Sequence, residues 1–165
     1  MLLNLPPDRR GRINENDERS LREFYRILEA TFANDLAQGA NVTASNVRGG
    51  DKRFLPQNVI DHRRDTYWAA DDAVHTPELV LELKHAVTFN VVRLREYLPL
   101  GQRVEAFAID SWRDDHWVEF ASGTSIGNCR LLRKASATTS KVRLRILQAP
   151  VCPAISELGL FSETK

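Results

Sequence analysis

Cysteine, long apolar runs and an excess of charge of either sign are all scarce in this sequence. Its two cysteines among 165 residues allow at most one disulfide, and no C-x2-C or Cys/His spacing predicts a zinc site. No segment approaches the ~20 consecutive apolar residues of a membrane-spanning helix. A formal net charge of +1 gives no overall electrostatic reason to bind nucleic acid or an anionic membrane. The sequence therefore predicts neither a membrane span nor a nucleic-acid partner.

The pairing of the two cysteines has two interpretations. Cys129 lies in a predicted strand and Cys152 in the loop before the last predicted strand, so the two thiols could meet. A bridge between them would stabilise the fold by roughly 3 kcal/mol through the loop that it closes. Two free, buried thiols are an equally good interpretation.

The first 33 residues differ in pattern from the rest. Apolar residues at helical spacing predict an amphipathic helix over residues 18–32, with Asn16 or Asp17 as its N-cap. Its apolar stripe consists of Leu21, Phe24, Tyr25, Leu28 and Phe32. Before it, a short apolar run stopped by two prolines is typical of a strand end followed by a loop. Such a segment cannot bury its own apolar face, so we expect a partner to cover it.

From about residue 34 the pattern changes to short strands separated by polar turns. Strands are predicted over 78–84, 88–97, 102–112, 117–120, 125–132 and 141–147, and around Leu158 and Leu160. This spacing is typical of an antiparallel sandwich rather than of βαβ units. The predicted fold class is therefore all-β, a β-sandwich preceded by one α-helix.

The string V-R-L-R occurs twice and carries Arg93 and Arg95 in one copy and Arg143 and Arg145 in the other. If the two strands are neighbours, the four arginines would cluster on one outer face. That cluster could bind an anion or another domain. It could equally be a solvated face whose arginines pair with nearby acids, as is normal for a sheet with one wet side.

The segment N-V-I-D-H-R-R-D-T-Y-W at 58–68 concentrates hard oxygen ligands, with a carboxylate at Asp61 and a hydroxyl at Thr66. Calcium takes six to eight oxygens in irregular geometry, so a distant carboxylate such as Glu157 could complete its shell. In the alternative interpretation, Asp61 and Thr66 are turn formers that bond their own backbone.

The D-x4-T-x-W loop together with the late S-E-L-G-L-F strand resembles the discoidin-like (coagulation factor type C) domains and the family 32 carbohydrate-binding modules. These share a galactose-binding-like jelly-roll. The resemblance implies a structural calcium ion held by backbone carbonyls, two carboxylates and a hydroxyl, and its ligands would be Asn58, Asp61, Arg63, Thr66, Ser156 and Glu157. His62 stands where the family usually has glycine, and a positive φ there would be unfavourable for histidine.

Two further segments resemble the α-L-fucosidases of glycoside hydrolase family 29. L-L-N-L-P-P-D-R-R-G followed by a helix is similar to the end of their catalytic barrel, and R-E-Y-L-P-L-G-Q-R-V-E-A-F at 95–107 is similar to their C-terminal sandwich. The resemblance implies a barrel remnant at 1–33, a discoidin-like sandwich at 34–165, and a periplasmic or secreted parent. The retaining carboxylate pair of such an enzyme would lie on earlier barrel strands. We therefore expect this chain not to be an enzyme by itself and its partner to be the missing barrel.

Sugar-binding modules stack an aromatic ring on the apolar face of a pyranose and surround it with polar side chains. The candidates in predicted loops are Trp112 and His116 in one turn, and Arg48, Arg53 and Phe54 in another. Trp68 and Trp117 are more typical of core residues. The expected function is an accessory domain of an α-L-fucosidase that supports the barrel and contacts fucosylated or galactosylated glycan. The alternative is a free-standing lectin-like module for terminal galactose or fucose.

Overall fold

The computed structural model describes residues 6–163, which divide into two compact units. One unit consists of residues 6–34 with Glu163, and the other is Asp35–Ser162. The strand end expected before Pro6 lies outside the described residues. Among residues 6–163, no helix is both long and apolar enough to cross a membrane.

The first unit contains one α-helix, α1 (Glu15–Phe32), which confirms the helix expected from the apolar spacing. Its N-cap is Asn14 rather than the expected Asn16 or Asp17, because the Asn14 side-chain oxygen accepts a hydrogen bond of 2.9 Å from the backbone N–H of Asn16. Two residues of the predicted apolar stripe are exposed, Tyr25 at 61% and Leu28 at 37%.

The second unit is an antiparallel sheet of seven strands, which confirms the all-β fold class. The strands are β1 (Asn41–Ala44), β2 (Trp68–Ala69), β3 (Glu78–Glu96), β4 (Ala106–Arg113), β5 (His116–Gly123), β6 (Arg130–Gln148) and β7 (Ala154–Phe161). They are hydrogen-bonded in the order β2-β7-β3-β6-β4-β5, and β1 also pairs with β3. The loops contain short 3₁₀ helices, at Arg48–Gly50, Lys52–Phe54, Pro56–Ile60 and Leu98–Leu100.

The two long strands β3 and β6 each serve both layers of the sandwich. Residues 78–82 of β3 pair with residues 141–145 of β6 and also with β1. After a shift of register, residues 87–94 of β3 pair with residues 130–139 of β6, and the end of β3 also pairs with β7. The expected separate strands at 78–84 and 88–97 are therefore one continuous strand.

One apolar core lies between the layers and draws on both halves of these strands. Leu79 and Leu81 come from the first half of β3, whereas Phe89, Val92 and Leu94 come from the second half. The alternation expected for β6 is confirmed, because Val142, Leu144 and Ile146 are buried. Trp68 is also fully buried, as expected, and its indole N–H donates to the carbonyl of Asn46 at 3.0 Å.

Candidate functional site

The 58–68 segment closes on itself through Asp61. One carboxylate oxygen of Asp61 accepts a hydrogen bond from the backbone N–H of Arg63 at 2.8 Å, and the other accepts one from the Thr66 hydroxyl at 2.7 Å. Between them His62 adopts φ 61°, so the left-handed backbone suggested by the family's glycine is present here in a histidine. The loop thus has the self-bonded geometry of an Asx turn.

This loop lies against the closing strand, as the sequence pattern required. β2 follows the loop and pairs with β7 through Trp68 opposite Ile155. A cavity of about 220 Å³ lies between the loop and the sheet. It is lined by His62, Arg63 and Arg64 of the loop, Arg93 and Arg95 of β3, and Ser156 and Glu157 of β7. We refer to it as the arginine pocket.

Glu157 forms the acidic centre of the arginine pocket and is already neutralised. Its two carboxylate oxygens accept hydrogen bonds from the Nε atoms of Arg93 and Arg95. All three side chains are largely buried, with 19%, 14% and 13% exposure for Arg93, Arg95 and Glu157. Arg93 additionally packs over the Phe161 ring, with its guanidinium carbon 4.5 Å from the centroid.

Three of the six expected calcium ligands, Arg63, Ser156 and Glu157, line this pocket, and both expected carboxylates are engaged by the chain itself. The carboxylate oxygens of Asp61 and Glu157 all accept hydrogen bonds from donors of the chain itself. The Asn58 side chain donates to the carbonyls of Arg53 and Tyr67, which holds the loop from inside. Within residues 6–163, no group of three or more His, Cys, Asp or Glu residues could hold a metal. Calcium therefore stays a prediction of the resemblance.

The candidate sugar contacts Arg48, Arg53 and Phe54 lie together, in the loop between β1 and β2. The guanidinium carbons of Arg53 and Arg48 lie 5.3 Å and 6.0 Å from the centroid of the Phe54 ring. The Phe54 ring lies 5.3 Å from the ring of Tyr67. Tyr67 in turn stacks on Tyr97, with centroids 4.1 Å apart and planes 14° from parallel. We call this group of five side chains the aromatic cluster.

Sequence reasoning missed Tyr67 and Tyr97. Tyr67 lies at the end of the 58–68 segment and Tyr97 directly after β3, and neither position has a local sequence pattern that predicts a binding residue. The only signal in the sequence was that both are large aromatic residues next to turn-forming segments. Both rings are half-buried, so part of the stack is exposed to solvent.

Arg48 is held in place by an acidic partner. Its guanidinium makes two hydrogen bonds to the Asp72 carboxylate, at 2.6 and 3.0 Å. These bonds hold the pKa of Asp72 below its ordinary value. The Cys152 thiol lies 3.5 Å from both Arg48 and Asp72 and 3.3 Å from Arg103. Both cysteines are free, so the structure contains no bridge between them. Cys152 is buried as expected, whereas Cys129 is exposed and precedes β6 rather than lying in a strand.

The other two candidate sugar contacts, Trp112 and His116, lie on the β4–β5 hairpin. β5 is at the opposite end of the strand order from β2. Trp112 is half-buried and packs edge-to-face on Trp117, with centroids 5.1 Å apart. The His116 ring lies with Nδ1 2.9 Å from the carbonyl oxygen of Asp114, within the turn. Trp117, expected in the core, is only half-buried and carries the Arg143 guanidinium 4.7 Å above its ring.

The two V-R-L-R strings lie in neighbouring strands but far out of register, so the four arginines do not form one cluster. Arg93 lies opposite Leu131, whereas Arg143 lies opposite Val80. Each pair instead shares one carboxylate, Arg93 and Arg95 that of Glu157, and Arg143 and Arg145 that of Asp110. The expected single cluster of four arginines is therefore wrong, and the pairing with nearby acids is present, although Arg93 and Arg95 are largely buried rather than solvated.

The fold and these loops define a carbohydrate-binding-like β-sandwich of the discoidin class. The F5/8 type C domain model matches residues 41–158, and the chain belongs to that family. The chain is also 37% identical to Alpha-L-fucosidase 1 of Arabidopsis thaliana over 98% of its own length and 33% of that protein. It thus spans about a third of the length of the curated relative it matches.

Solved structures likewise match the chain to about a third of a larger fucosidase. The chain superimposes on a GH29 fucosidase from Ruminococcus gnavus in complex with fucose with a TM-score of 0.91 and 32% identity, covering 99% of this chain and 34% of that one. It also matches a chitosan-binding module from a Paenibacillus chitosanase/glucanase with a TM-score of 0.70 over 78% of this chain and 99% of the module. The identity of 19% in that second match shows a shared fold alone.

Proposed function

We propose that this chain is the C-terminal accessory β-sandwich of an α-L-fucosidase, and that it supports a catalytic barrel and contacts the glycan substrate. The observation that carries the proposal is the extent of the match. Nearly the whole chain, helix included, aligns with only a third of an α-L-fucosidase of Arabidopsis thaliana and of a GH29 fucosidase of Ruminococcus gnavus. The resemblance supplies the remaining two-thirds as a barrel that bears the retaining carboxylates.

Exposed apolar side chains support a protein partner for each unit. In the first unit, Tyr25 and Leu28 of the α1 stripe are exposed. In the second unit, Leu98 and Leu100 of the L-P-L turn are 40% and 42% exposed. An amphipathic helix is stabilised mainly by packing of its apolar face, and the barrel is the partner that the resemblance provides.

The aromatic cluster is the place where the sandwich would contact glycan. The Phe54 ring and the Tyr67–Tyr97 stack offer an apolar face for a pyranose. Arg48 and Arg53 lie over the Phe54 ring, and those of their N–H groups that Asp72 and Asp51 do not take would donate to sugar hydroxyl oxygens. Aromatic bodies with polar donors at the rim are typical of small-ligand sites.

The alternative of a free-standing lectin-like module is favoured by this same cluster, because five convergent side chains could bind a sugar without a barrel. Binding of the purified chain to an array of fucosylated and galactosylated glycans separates the two functions. If the chain binds no glycan on the array, the result favours a domain that only supports the barrel. If it binds and Arg53→Ala abolishes the binding, the result favours the lectin-like module. Lys134→Ala, which removes an exposed cation of β6 outside both groups of candidate sugar contacts, is the control.

Catalysis by the chain itself is tested with the same material. We expect no release of nitrophenol from 4-nitrophenyl α-L-fucoside above the uncatalysed rate, because the resemblance assigns no Asp or Glu of this chain to the catalytic pair. A turnover that scales with protein concentration would contradict the accessory role.

A further inference from the structure

We propose that the arginine pocket binds an oxyanion, the sulfate or carboxylate group of an acidic glycan, rather than calcium. The choice of a glycan as the carrier rests on the proposed function. The preference for an anion rests on the pocket alone.

The charge balance of the pocket is the first argument. Four guanidinium groups line it, those of Arg63, Arg64, Arg93 and Arg95, and they face a single lining carboxylate, Glu157. That carboxylate is fully engaged by two of them. An entering divalent cation would meet like charge on several sides in a partly desolvated site, where Coulomb repulsion is only weakly screened. An anion would meet attraction.

Three further acids, Asp35, Asp61 and Asp65, lie next to the pocket, and none of them is among its lining residues. Asp61 accepts hydrogen bonds within its own loop, from the Arg63 N–H and the Thr66 hydroxyl. Asp65 pairs with Arg63 at 2.8 Å, but both side chains are exposed, so the pair is readily exchanged for another partner. Asp35 is buried, and desolvation raises its pKa above the ordinary value although nearby His62 and Arg93 act in the opposite direction. One of its oxygens is already used by the backbone N–H groups of Ala37 and Leu160.

Arg64 is the side chain with the most hydrogen-bond donors available for an oxyanion. Among residues 6–163 its guanidinium makes no hydrogen bond or ion pair, although it lines the pocket. Arg95 retains spare donors as well, because Glu157 takes its Nε and the carbonyl of Asn128 takes one terminal nitrogen. Arginine presents its N–H groups in a planar fork that matches two oxygens of one carboxylate, sulfate or phosphate.

The walls of the pocket are fixed before any ligand arrives. Arg93, Arg95 and Glu157 lie on paired strands, with Arg95 directly opposite Glu157 in the β3–β7 ladder. The loop wall is closed by the Asp61 hydrogen bonds to Arg63 and Thr66. A cavity of about 220 Å³ is several times the ~30 Å³ that a water molecule occupies in the liquid. That is room for a tetrahedral or planar oxyanion together with several water molecules or part of the sugar ring that carries it.

The test is calorimetric titration of the purified chain with sodium sulfate against sodium chloride at matched ionic strength, repeated with fucose sulfate, glucuronic acid and uncharged fucose. We expect sulfate, fucose sulfate and glucuronic acid to bind and fucose not to bind at this site. Arg64→Ala should weaken binding of the anions about tenfold, the loss of one charge-assisted pair. Arg113→Ala, which changes the net charge equally and leaves the pocket intact, should leave binding unchanged.

Three results would overturn the proposal. Binding that is insensitive to Arg64→Ala would place the anion elsewhere. Binding of inorganic sulfate without binding of either acidic sugar would remove the glycan as carrier. A saturable rise in melting temperature with calcium chloride, reversed by EDTA and removed by Asp61→Asn, would show that the loop holds calcium. None of these three results depends on the aromatic cluster. A failure of the glycan contact proposed for that cluster would therefore be recognised separately, in the array experiment.

Discussion

The Asp110 carboxylate accepts a hydrogen bond of 2.7 Å from Nε of Arg145 on the neighbouring strand, and it does so with only 2% of its surface exposed. Arg143 approaches the same carboxylate at 2.8 Å. Burial alone would raise the pKa of Asp110, but the hydrogen bonds from the two arginines outweigh it and hold the pKa below the ordinary value of 3.8. The charged form is therefore the stable one in the fold.

The first prediction concerns Asp110→Asn. The substitution keeps the shape but leaves two half-buried guanidinium groups without their shared anion, so we expect a loss of about 2–4 kcal/mol in the free energy of unfolding. Urea denaturation at pH 7 measures it. The contribution exists above the unfolded pKa near 3.8 and disappears as the pH falls through the lowered folded pKa, so wild type and variant should converge in acid.

Glu119→Gln is the control for this network. Glu119 is exposed and lies 3.5 Å from Arg145, at the limit of a hydrogen bond. We expect a change within about 0.5 kcal/mol, typical of an exposed pair. Equal losses for the two variants would mean that burial of Asp110 is not what makes its pairing important.

The second prediction concerns pH and Asp35. Desolvation raises the pKa of this buried carboxyl above 3.8, so ionisation costs stability as the pH rises from the unfolded toward the folded pKa. Asp35→Asn keeps the side-chain oxygen that accepts from Ala37 and Leu160 and removes the buried charge. Thermal melts should show a variant more stable than wild type at pH 7 and equal to it below about pH 4. A variant less stable at pH 7 would show that the hydrogen bonds from Leu160 and Ala37 and the nearby Arg93 stabilise the charged carboxylate more than burial destabilises it.

The third prediction concerns Glu96, which holds the loop after β3 through hydrogen bonds. Its carboxylate accepts hydrogen bonds from the backbone N–H groups of Arg103, Val104 and Gly127 at 2.6, 2.9 and 2.6 Å. In Glu96→Gln the amide NH₂ must face one of these N–H groups, which leaves a buried donor unsatisfied. We expect a loss of about 1–3 kcal/mol on urea denaturation. Glu105→Gln, at an exposed position bonded to Gln148, should be nearly neutral.

The sequence was sufficient for the fold class because burial imposes local alternation. Val142, Leu144 and Ile146 point inward as their spacing requires, and α1 follows its stripe of apolar residues. Strand boundaries were less accurate, since β3 runs through Lys84–Val87 without a turn signal and keeps its partner β6 beyond the shift in register. Two-residue β2 has no periodicity to detect, because it is defined only by pairing with β7.

The sequence predicted where the candidate site lies, but not which side chains contact one another there. The loop with Asp61 and the strand with Glu157 do meet, since both flank the short β2–β7 pairing. The partners of Glu157 were not predictable, because alternation places Arg93 and Arg95 on an outer face without saying which acid lies across the ladder. The Tyr67–Tyr97 stack likewise joins loops distant in sequence, and no local pattern encodes such a contact.

The fourth prediction concerns the two thiols. Cys129 is exposed and Cys152 is buried beside Arg48, Arg103 and Asp72. In the native protein a disulfide-exchange reagent should therefore label one thiol rapidly, and the second only after unfolding in guanidinium. Cys129→Ser should remove the fast phase and leave the slow one. Absence of any titratable thiol in denaturant, with a mass two hydrogens lower, would instead show a bridge.

The fifth prediction concerns His62, whose φ of 61° places an ordinary side chain in the left-handed region. Such a conformation costs roughly 1–2 kcal/mol for a residue with a Cβ and little for glycine. We therefore expect His62→Gly to raise the free energy of unfolding by about 1 kcal/mol, partly offset by the greater freedom of glycine in the unfolded chain.

His85→Gly is the matched control, because His85 lies within β3 and is not among the residues with positive φ. Glycine in a strand interior is unfavourable, so this variant should lose stability. If His62→Gly destabilises the protein as much as His85→Gly does, then the imidazole at the rim of the arginine pocket contributes more than the strain of its backbone removes.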